Sequence, residues 1–300
     1  MPKGQSLMSL LEKTLNLSYL QRVKIAFQYV MPQKYLTQAA GWLAKQKWGV
    51  VTHFIIKLFA KKYGINMSEA AKENFSDYET FNQFFIRQLK DGARKIDENP
   101  TALCLPADGK ISQCGHIFDE TLLQAKGHAF SLRDLLAGDD ELTAEFKNGE
   151  FATTYLSPRD YHRVHMPCDA TLRKMIYVPG DLFSVNPFLN EHVPNLLARN
   201  ERVICVFETE FGKMVQILVG ATITASISTV WAGVINPPRP NQVKTWDYDG
   251  SVKLSKGQEM GAFQLGSTVI NLFQQDRVKL ADNLDVDSVT RVGDVLAYKK

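Results

Sequence analysis

The feature that most constrains this chain is a change in hydrophobic period near residue 100. Before it, apolar side chains recur every three or four residues, the repeat of an amphipathic helix. After it, short β-branched stretches alternate with polar residues, the repeat of a half-buried strand. Leu7, Leu10, Leu11 and Leu15 predict a first helix. Leu20, Val23, Phe27 and Val30 predict a second, with Ser18 as N-cap and Pro32 as stop. A third is expected over about 35–45, carrying Leu36, Ala40, Leu43 and Ala44. The fourth, over 50–63, places Phe54, Ile55, Leu58 and Phe59 in one stripe and ends at Gly64, a suitable C′ residue. From Leu103 onward, 109–115 (GKISQCG), 151–158 (FATTYLSP), 202–219, 222–230 and 291–298 read as strands, with a hairpin turn at Glu210–Gly212 and one helix at Ser131–Ala137. The expected fold class is α+β: an amphipathic helical region, 1–100, followed by a mainly antiparallel β-rich domain, 101–300.

A formal net charge of +3 conceals a division along the chain. Residues 1–66 hold ten basic side chains (Lys3, Lys13, Arg22, Lys24, Lys34, Lys45, Lys47, Lys57, Lys61 and Lys62) and one acid, Glu12, for a net +9; the remainder is −6. Two readings compete for the basic helices. In one, their apolar faces pack on the rest of the protein while the lysines stay solvated. In the other, they lie in the plane of an anionic membrane surface, where each basic residue contributes about 1 kcal/mol. The sequence alone slightly favours packing, because most amphipathic helices face a core. No nucleic-acid-binding motif accompanies the charge, so nucleic acid is not expected as a partner.

No run of roughly 18 apolar residues predicts a membrane span. The most apolar stretch, Met214–Val230, is broken by Gln216 and Gly220 and reads as two core strands. The N-terminus shows no apolar stretch with a small-residue cleavage site, so no secretion signal is expected. Cys104, Cys114, Cys168 and Cys205 form no CxxC pair and read as reduced, mostly buried thiols in a cytosolic compartment.

Three places can carry chemistry. His162 and His165 stand three apart; they suit acid–base work near neutral pH, yet two histidines near a turn are as well explained structurally. As a metal pair they lack a third ligand at a telling spacing, and no metal is expected. Asp108, in Pro106–Lys110 (PADGK), puts a carboxylate in a turn before a strand, and most Asp-Gly pairs are only turns. Gly266–Ser267, between two apolar stretches, ordinarily marks a bulge or hairpin. A serine after glycine has another option: with a base nearby, its hydroxyl can attack the open carbonyl of the preceding residue.

Together, Phe81–Arg87 (FNQFFIR), Pro106–Lys110 (PADGK), 161–167 (YHRVHMP) and Leu265–Thr268 (LGST) closely resemble the bacterial, membrane-associated phosphatidylserine decarboxylase family. The matches fall in the family's order and extend from the helical region to near the C-terminus.

The resemblance implies a self-processing enzyme whose pyruvoyl group is made from its own serine. Asp108, His165 and Ser267 match the family's maturation triad, with cleavage between Gly266 and Ser267. The substrate would be phosphatidylserine, and the products phosphatidylethanolamine and carbon dioxide. His162 is the better candidate for substrate positioning and proton transfer, although the sequence leaves the division of roles between the two histidines open. The resemblance also implies α and β chains that stay associated, allows a homodimer of processed units, and places the protein peripherally on the cytoplasmic face of the bacterial inner membrane. With a diacyl lipid as substrate, the basic helices are now better read as the membrane anchor. Two other classes remain: a peripheral serine hydrolase using the same three residues, and a non-enzymatic membrane-binding β module.

Overall fold

The computed structural model describes residues 17–125, 128–222, 226–264 and 267–300, with only the backbone described at Leu123, Ala125, His128 and Ser267. The helix expected around Leu7–Leu15, and Gly266 itself, lie outside the described residues.

Three helices open the described chain: α1 (Tyr19–Val30), α2 (Gln33–Ala44) and α3 (Val50–Tyr63). Ser18 caps α1 through a reciprocal box. Its hydroxyl accepts from the Gln21 N–H at 3.3 Å, and the Gln21 side chain accepts from the Ser18 N–H at 2.9 Å. Gly64 closes α3 in the left-handed conformation, as expected of a C-terminal glycine.

The direction of the apolar faces reverses the packing expectation. Tyr19, Leu20, Val23, Phe27 and Val30 of α1 all point outward. What docks α1 and α2 is largely polar: Gln28 Oε1 accepts from the Ser184 N–H at 3.1 Å, and Gln33 Oε1 accepts from the Leu182 N–H at 2.7 Å. The Tyr29 ring meets Phe183 edge-on at 5.0 Å. In α3 the buried face is Thr52, Ile56 and Ala60, while Phe54, Ile55 and Leu58 are exposed. Among the described residues no helix is long and apolar enough to cross a membrane.

A short helix, α4 (Phe81–Phe85), follows, capped by the Thr80 hydroxyl. Its Phe84 joins Ile56, Ala60 and Tyr78 in a small satellite core.

The β-rich part then runs β1 (Ala102–Cys104), β2 (Gly109–His116), β3 (Thr121–Ala125), β4 (His128–Ser131), α5 (Leu132–Leu135), α6 (Asp140–Phe146), β5 (Glu150–Leu156), β6 (Arg163–His165) and β7 (Ala170–Val178). It continues through α7 (Pro187–His192), α8 (Leu196–Arg199), β8 (Arg202–Thr209), β9 (Gly212–Val219), β10 (Ser226–Thr229), β11 (Gly233–Val234), β12 (Lys244–Asp247) and β13 (Lys253–Leu254). Last come β14 (Glu259–Gln264), β15 (Ser267–Phe273), β16 (Val278–Leu280), β17 (Val289–Thr290) and β18 (Val295–Lys299). The expectation of one helix here is corrected: α6, α7 and α8 join α5. They are four to seven residues long, too short to show a helical period, and two announce themselves only by caps, Asp139 and Asn186.

The largest sheet has the order β12-β7-β8-β9-β15-β5-β2-β17, with β13 also on β7. A second sheet, β11-β10-β14-β6, packs against one of its faces. Strand alternation divides the core accordingly. From β15, Val269 and Phe273 enter the side shared with Val164 of β6 and Phe263 of β14, whereas Ile270 and Leu272 enter the side covered by α5–α8.

Gly109 has to be glycine for this sheet to close. A Cβ there would lie 2.2 Å from the Tyr155 carbonyl oxygen on the neighbouring strand. Gly109→Ala should therefore cost about 1–3 kcal/mol, the range for an overpacked core. Thermal unfolding measures it; an unchanged midpoint would show that β2 and β5 are not this close.

Candidate active site

Register brings the chemistry to one end of the large sheet. Gly109 pairs with Thr290, Lys110 with Tyr155, Tyr155 with Thr268, and Leu156 with Ser267. Asp108 (just before β2), the loop after β5 and the start of β15 therefore share an edge. β14 of the four-stranded sheet ends at Gln264 and β15 of the large one begins at Ser267, so Ser267 stands at the corner where the chain has changed sheets.

The 161–165 segment is extended, and that settles what the three-residue histidine spacing means. On a strand, alternate residues share a face. Tyr161 and His165 meet, the tyrosine hydroxyl 3.2 Å from His165 Nε2. His162 turns the opposite way and is fully buried, its ring 4.1 Å from that of Phe85. Its carbonyl accepts from the Phe263 N–H at 3.0 Å, three residues before Gly266. His165 lies opposite Glu259, farther from the corner.

Both imidazoles have the same tautomer by the chemistry of their partners. His162 Nδ1 faces the Asp160 carbonyl at 2.8 Å, and His165 Nδ1 faces the Gly257 carbonyl at 2.8 Å. A carbonyl only accepts, so each Nδ1 carries the proton and each Nε2 is the basic nitrogen. At His165 that nitrogen receives the Tyr161 hydroxyl; at His162 it is buried and has no partner among the described residues.

Asp108 is clamped. Arg94 Nε lies 3.0 Å from each carboxylate oxygen, Arg94 Nη2 bonds Oδ2, and the Val292 N–H donates to Oδ1 at 2.9 Å. Arg94 also reaches Glu69 at 2.9 Å. Burial opposes the Arg94 charge, but the Asp108 bonds outweigh it and raise its pKa further. The Asp108 turn touches His165 through the backbone, where the His165 N–H donates to the Pro106 carbonyl at 2.8 Å. The carboxylate itself is bonded to Arg94 and Val292 and not to the His165 ring, on which it acts through its charge.

The structure thus brings His165 beside the Asp108 turn and His162 beside the strand leading to Gly266. It also supplies Tyr161, Arg94 and the Arg163–Glu259 ion pair at 2.7 Å, none of which the sequence singled out. Tyr161, at an even spacing from His165, carried a signal once the segment is read as a strand. Arg94 carried none, because only folding brings it to Asp108. Tyr161, Arg94, His165, Gly257 and Glu259 line a cavity of about 540 Å³.

Comparison with known proteins gives concordant matches. A family model described as phosphatidylserine decarboxylase matches residues 81–298, and a second, described as PSD, matches 23–64. The chain is 77% identical over 295 residues to a phosphatidylserine decarboxylase proenzyme of Pasteurella multocida, covering 98% of this chain and all of that protein. It is 80% identical over 285 residues to a proenzyme of the same description from Histophilus somni, covering 94% and 97% of the two chains. A Haemophilus influenzae protein of that description is 77% identical over 285 residues, covering 94% and 98%.

Burial pushes the His162 pKa down from the ordinary 6.5 to about 3, the Asp160 hydrogen bond opposing and the Arg87 charge adding to the shift. His165 is lowered too, by burial, against the bond to Gly257. Below about pH 6.5 the unfolded chain takes up protons that the folded one refuses. Stability should therefore fall as pH drops from 6.5 towards 3 and stay level above. His162→Asn should flatten that fall by up to about 1.4 kcal/mol per pH unit. Urea midpoints across pH 4–7 measure it, and identical slopes in the two proteins would contradict a buried neutral His162.

Proposed function

The chain belongs to the phosphatidylserine decarboxylase family, and from that premise we propose that it matures by cutting itself at Gly266–Ser267 and works through a pyruvoyl group formed from Ser267. It is a phosphatidylserine decarboxylase made as a proenzyme. The observation that carries the proposal is the position of Ser267, paired with Leu156 at the sheet end where the Asp108 turn and the Ser157–His162 segment converge.

In maturation the Ser267 hydroxyl attacks the Gly266 carbonyl while His165 takes its proton. Asp108 supports the resulting imidazolium through its charge and through the turn that holds the His165 backbone. The peptide bond becomes an ester. Loss of the Ser267 α-proton expels that ester as the Gly266 carboxylate and leaves dehydroalanine, which tautomerises and hydrolyses to the ketone and ammonia. The products are a β chain, Met1–Gly266, and an α chain running from the former Ser267 to Lys300.

Residues here fit a group carried by the chain itself. β15 pairs with β5 from its first residue, Ser267, and with β9 from Thr268, so a group formed at Ser267 is held by the strand itself. Beside the corner stands His162, whose buried Nε2 has no partner among the described residues and whose ring is walled by Phe85. A pyruvoyl group supplies a ketone that condenses with the substrate amine and takes up the electron pair released with carbon dioxide. His162 positions the substrate and delivers the proton that its α-carbon takes up when carbon dioxide leaves.

Residues 1–100 are the membrane-associating region and 101–300 the catalytic domain. α1 and α3 present apolar side chains outward, with Lys57, Lys61 and Lys62 on α3, and this supports peripheral attachment to the cytoplasmic face of the inner membrane.

Two sets of variants test this reading. Ser267→Ala should abolish cleavage, and His165→Ala or Asp108→Asn should slow it severely. His162→Ala should spare cleavage more than decarboxylation. Denaturing electrophoresis with intact mass reads the fragments, the smaller starting at residue 267 and blocked to Edman degradation; a single full-length active chain would end the pyruvoyl reading. If His162→Ala blocks cleavage while His165→Ala does not, the two histidines exchange roles, as the register of His162 near Phe263 would then explain. For the membrane region, Phe54→Asp with Leu58→Asp should lower binding to phosphatidylglycerol-containing vesicles about tenfold or more, given the apolar area removed from the lipid. Sedimentation with vesicles measures it, and undiminished binding would remove α3 from the contact.

A further inference from the structure

Arg87 ends the FNQFFIR segment and has no role in the chemistry above. It is 5% exposed, and its guanidinium has one hydrogen-bond partner, the Arg159 carbonyl at 3.2 Å, with the Phe84 ring 5.6 Å away. Its Nε and Nη1 are buried and have no partner among the described residues. The acids nearby are engaged elsewhere. Asp108 and Glu69 bond Arg94, and Asp160 accepts from the Ser157 N–H and hydroxyl at 2.7 Å each. A buried cation without an anion is costly, and the structure meets that cost only with a carbonyl and a ring.

Beside Arg87 is a cavity of about 290 Å³, lined also by Gly64, Gly109, Arg159 and Arg291 and by the carboxylates of Glu69, Asp108 and Asp160, with which Arg94, Arg159 and Arg291 pair. Arg159 and Arg291 are more than half exposed and held by long ion pairs, each 3.7 Å, to Asp160 and Glu69. The position of the cavity is specific. Gly64 is the end of α3, whose outer side is apolar, and Gly109 abuts the backbone of Tyr155 and Leu156, which pair with Thr268 and Ser267. It therefore lies between the lipid-facing helix and the reacting strand, about two strand spacings, roughly 10 Å, from Ser267.

We propose that this cavity is an anion site for the phosphodiester of the phospholipid head group, with Arg87 as its floor and Arg159 and Arg291 as its clamps. A phosphodiester joins the glycerol, which stays at the membrane, to the serine, which must reach Ser267, and guanidinium groups match its oxygens in pairs. The proposal rests on the placement of the reaction at Ser267.

The test uses processed enzyme and a short-chain, soluble phosphatidylserine. Arg159→Ala/Arg291→Ala and, separately, Arg87→Gln should raise KM about tenfold or more, the loss expected of one charge-assisted hydrogen bond or more, with kcat changed far less. Glycerophosphoethanolamine should inhibit wild type at least about tenfold better than ethanolamine, on the same reasoning, and lose that advantage in the variants. Fragment yields should equal wild type in all forms. If Arg87→Gln does not fold, the exposed rim pair decides alone. An unchanged KM, an inhibitor preference that survives in the variants, or equal inhibition of every form by inorganic phosphate would overturn the anion site. An unprocessed or inactive wild type would instead overturn the Ser267 reading, so the two failures are distinct.

Discussion

The pairing of β15 with two neighbours at once is the constraint on which the rest depends. It is matched with β5 over seven positions, Ser267 to Phe273, and with β9 over six, Thr268 to Phe273. Its side chains feed both cores, Val269 and Phe273 on one side and Ile270 and Leu272 on the other. A strand so placed stays put if the peptide bond before it is cut, because backbone hydrogen bonds and apolar burial hold it independently of the covalent link. The proposed cleavage thus changes one bond at a sheet corner and leaves the sheet intact. The same placement explains why Gly109 cannot carry a side chain: β2 packs so closely on β5 that the Asp108 turn is drawn to the end where β15 begins.

Around that end the polar groups are arranged by alternation along one short strand. Tyr161 and His165 face one way and His162 the other, so two histidines of the same tautomer meet unlike surroundings. His165 is hydrogen-bonded at both nitrogens and lies under the charge of Asp108. His162 is sealed against Phe85 with its basic nitrogen bare. The proposed roles, His165 acting once in maturation and His162 at every turnover, call for different environments, and opposite faces of a strand provide them within four residues.

How much of this was legible in the sequence depended on whether the signal was local. The limits of α3 were readable because Gly64 terminates it and its apolar residues keep a helical period. The face it buries was not. Periodicity shows that a helix has an apolar side, but not whether protein or something else covers it, and here Thr52, Ile56 and Ala60 face inward while Phe54 and Leu58 do not. The β-rich fold class followed from alternation in stretches such as 202–219, whereas α6–α8 were too short to show any period. Of the site, Asp108, His162, His165 and Ser267 came from motifs. Arg94 came only from folding, since it acts on residues distant in sequence and a lone arginine has no characteristic spacing; Arg87 closed a motif, but its burial beside a cavity came only from folding.

The charge division acquires its meaning from how the first helices dock. Gln28 and Gln33 hold α1 and α2 to the 182–184 segment by accepting backbone N–H bonds, which orients the helices without covering their apolar side chains. Leu20, Phe27, Trp42, Phe54 and Leu58 are left outward together. At about 25 cal/mol per Å² of apolar surface, side chains of this size are costly to leave in water and favourable to transfer out of it. An apolar protein partner would meet that need, but would gain nothing from the +9 charge carried by the same sixty-six residues. An anionic bilayer answers both features, the acyl boundary taking the apolar side chains and the head groups the lysines. The end of α3, at Gly64, lines the cavity proposed for the phosphodiester, so the surface proposed to hold the lipid would also deliver its head group.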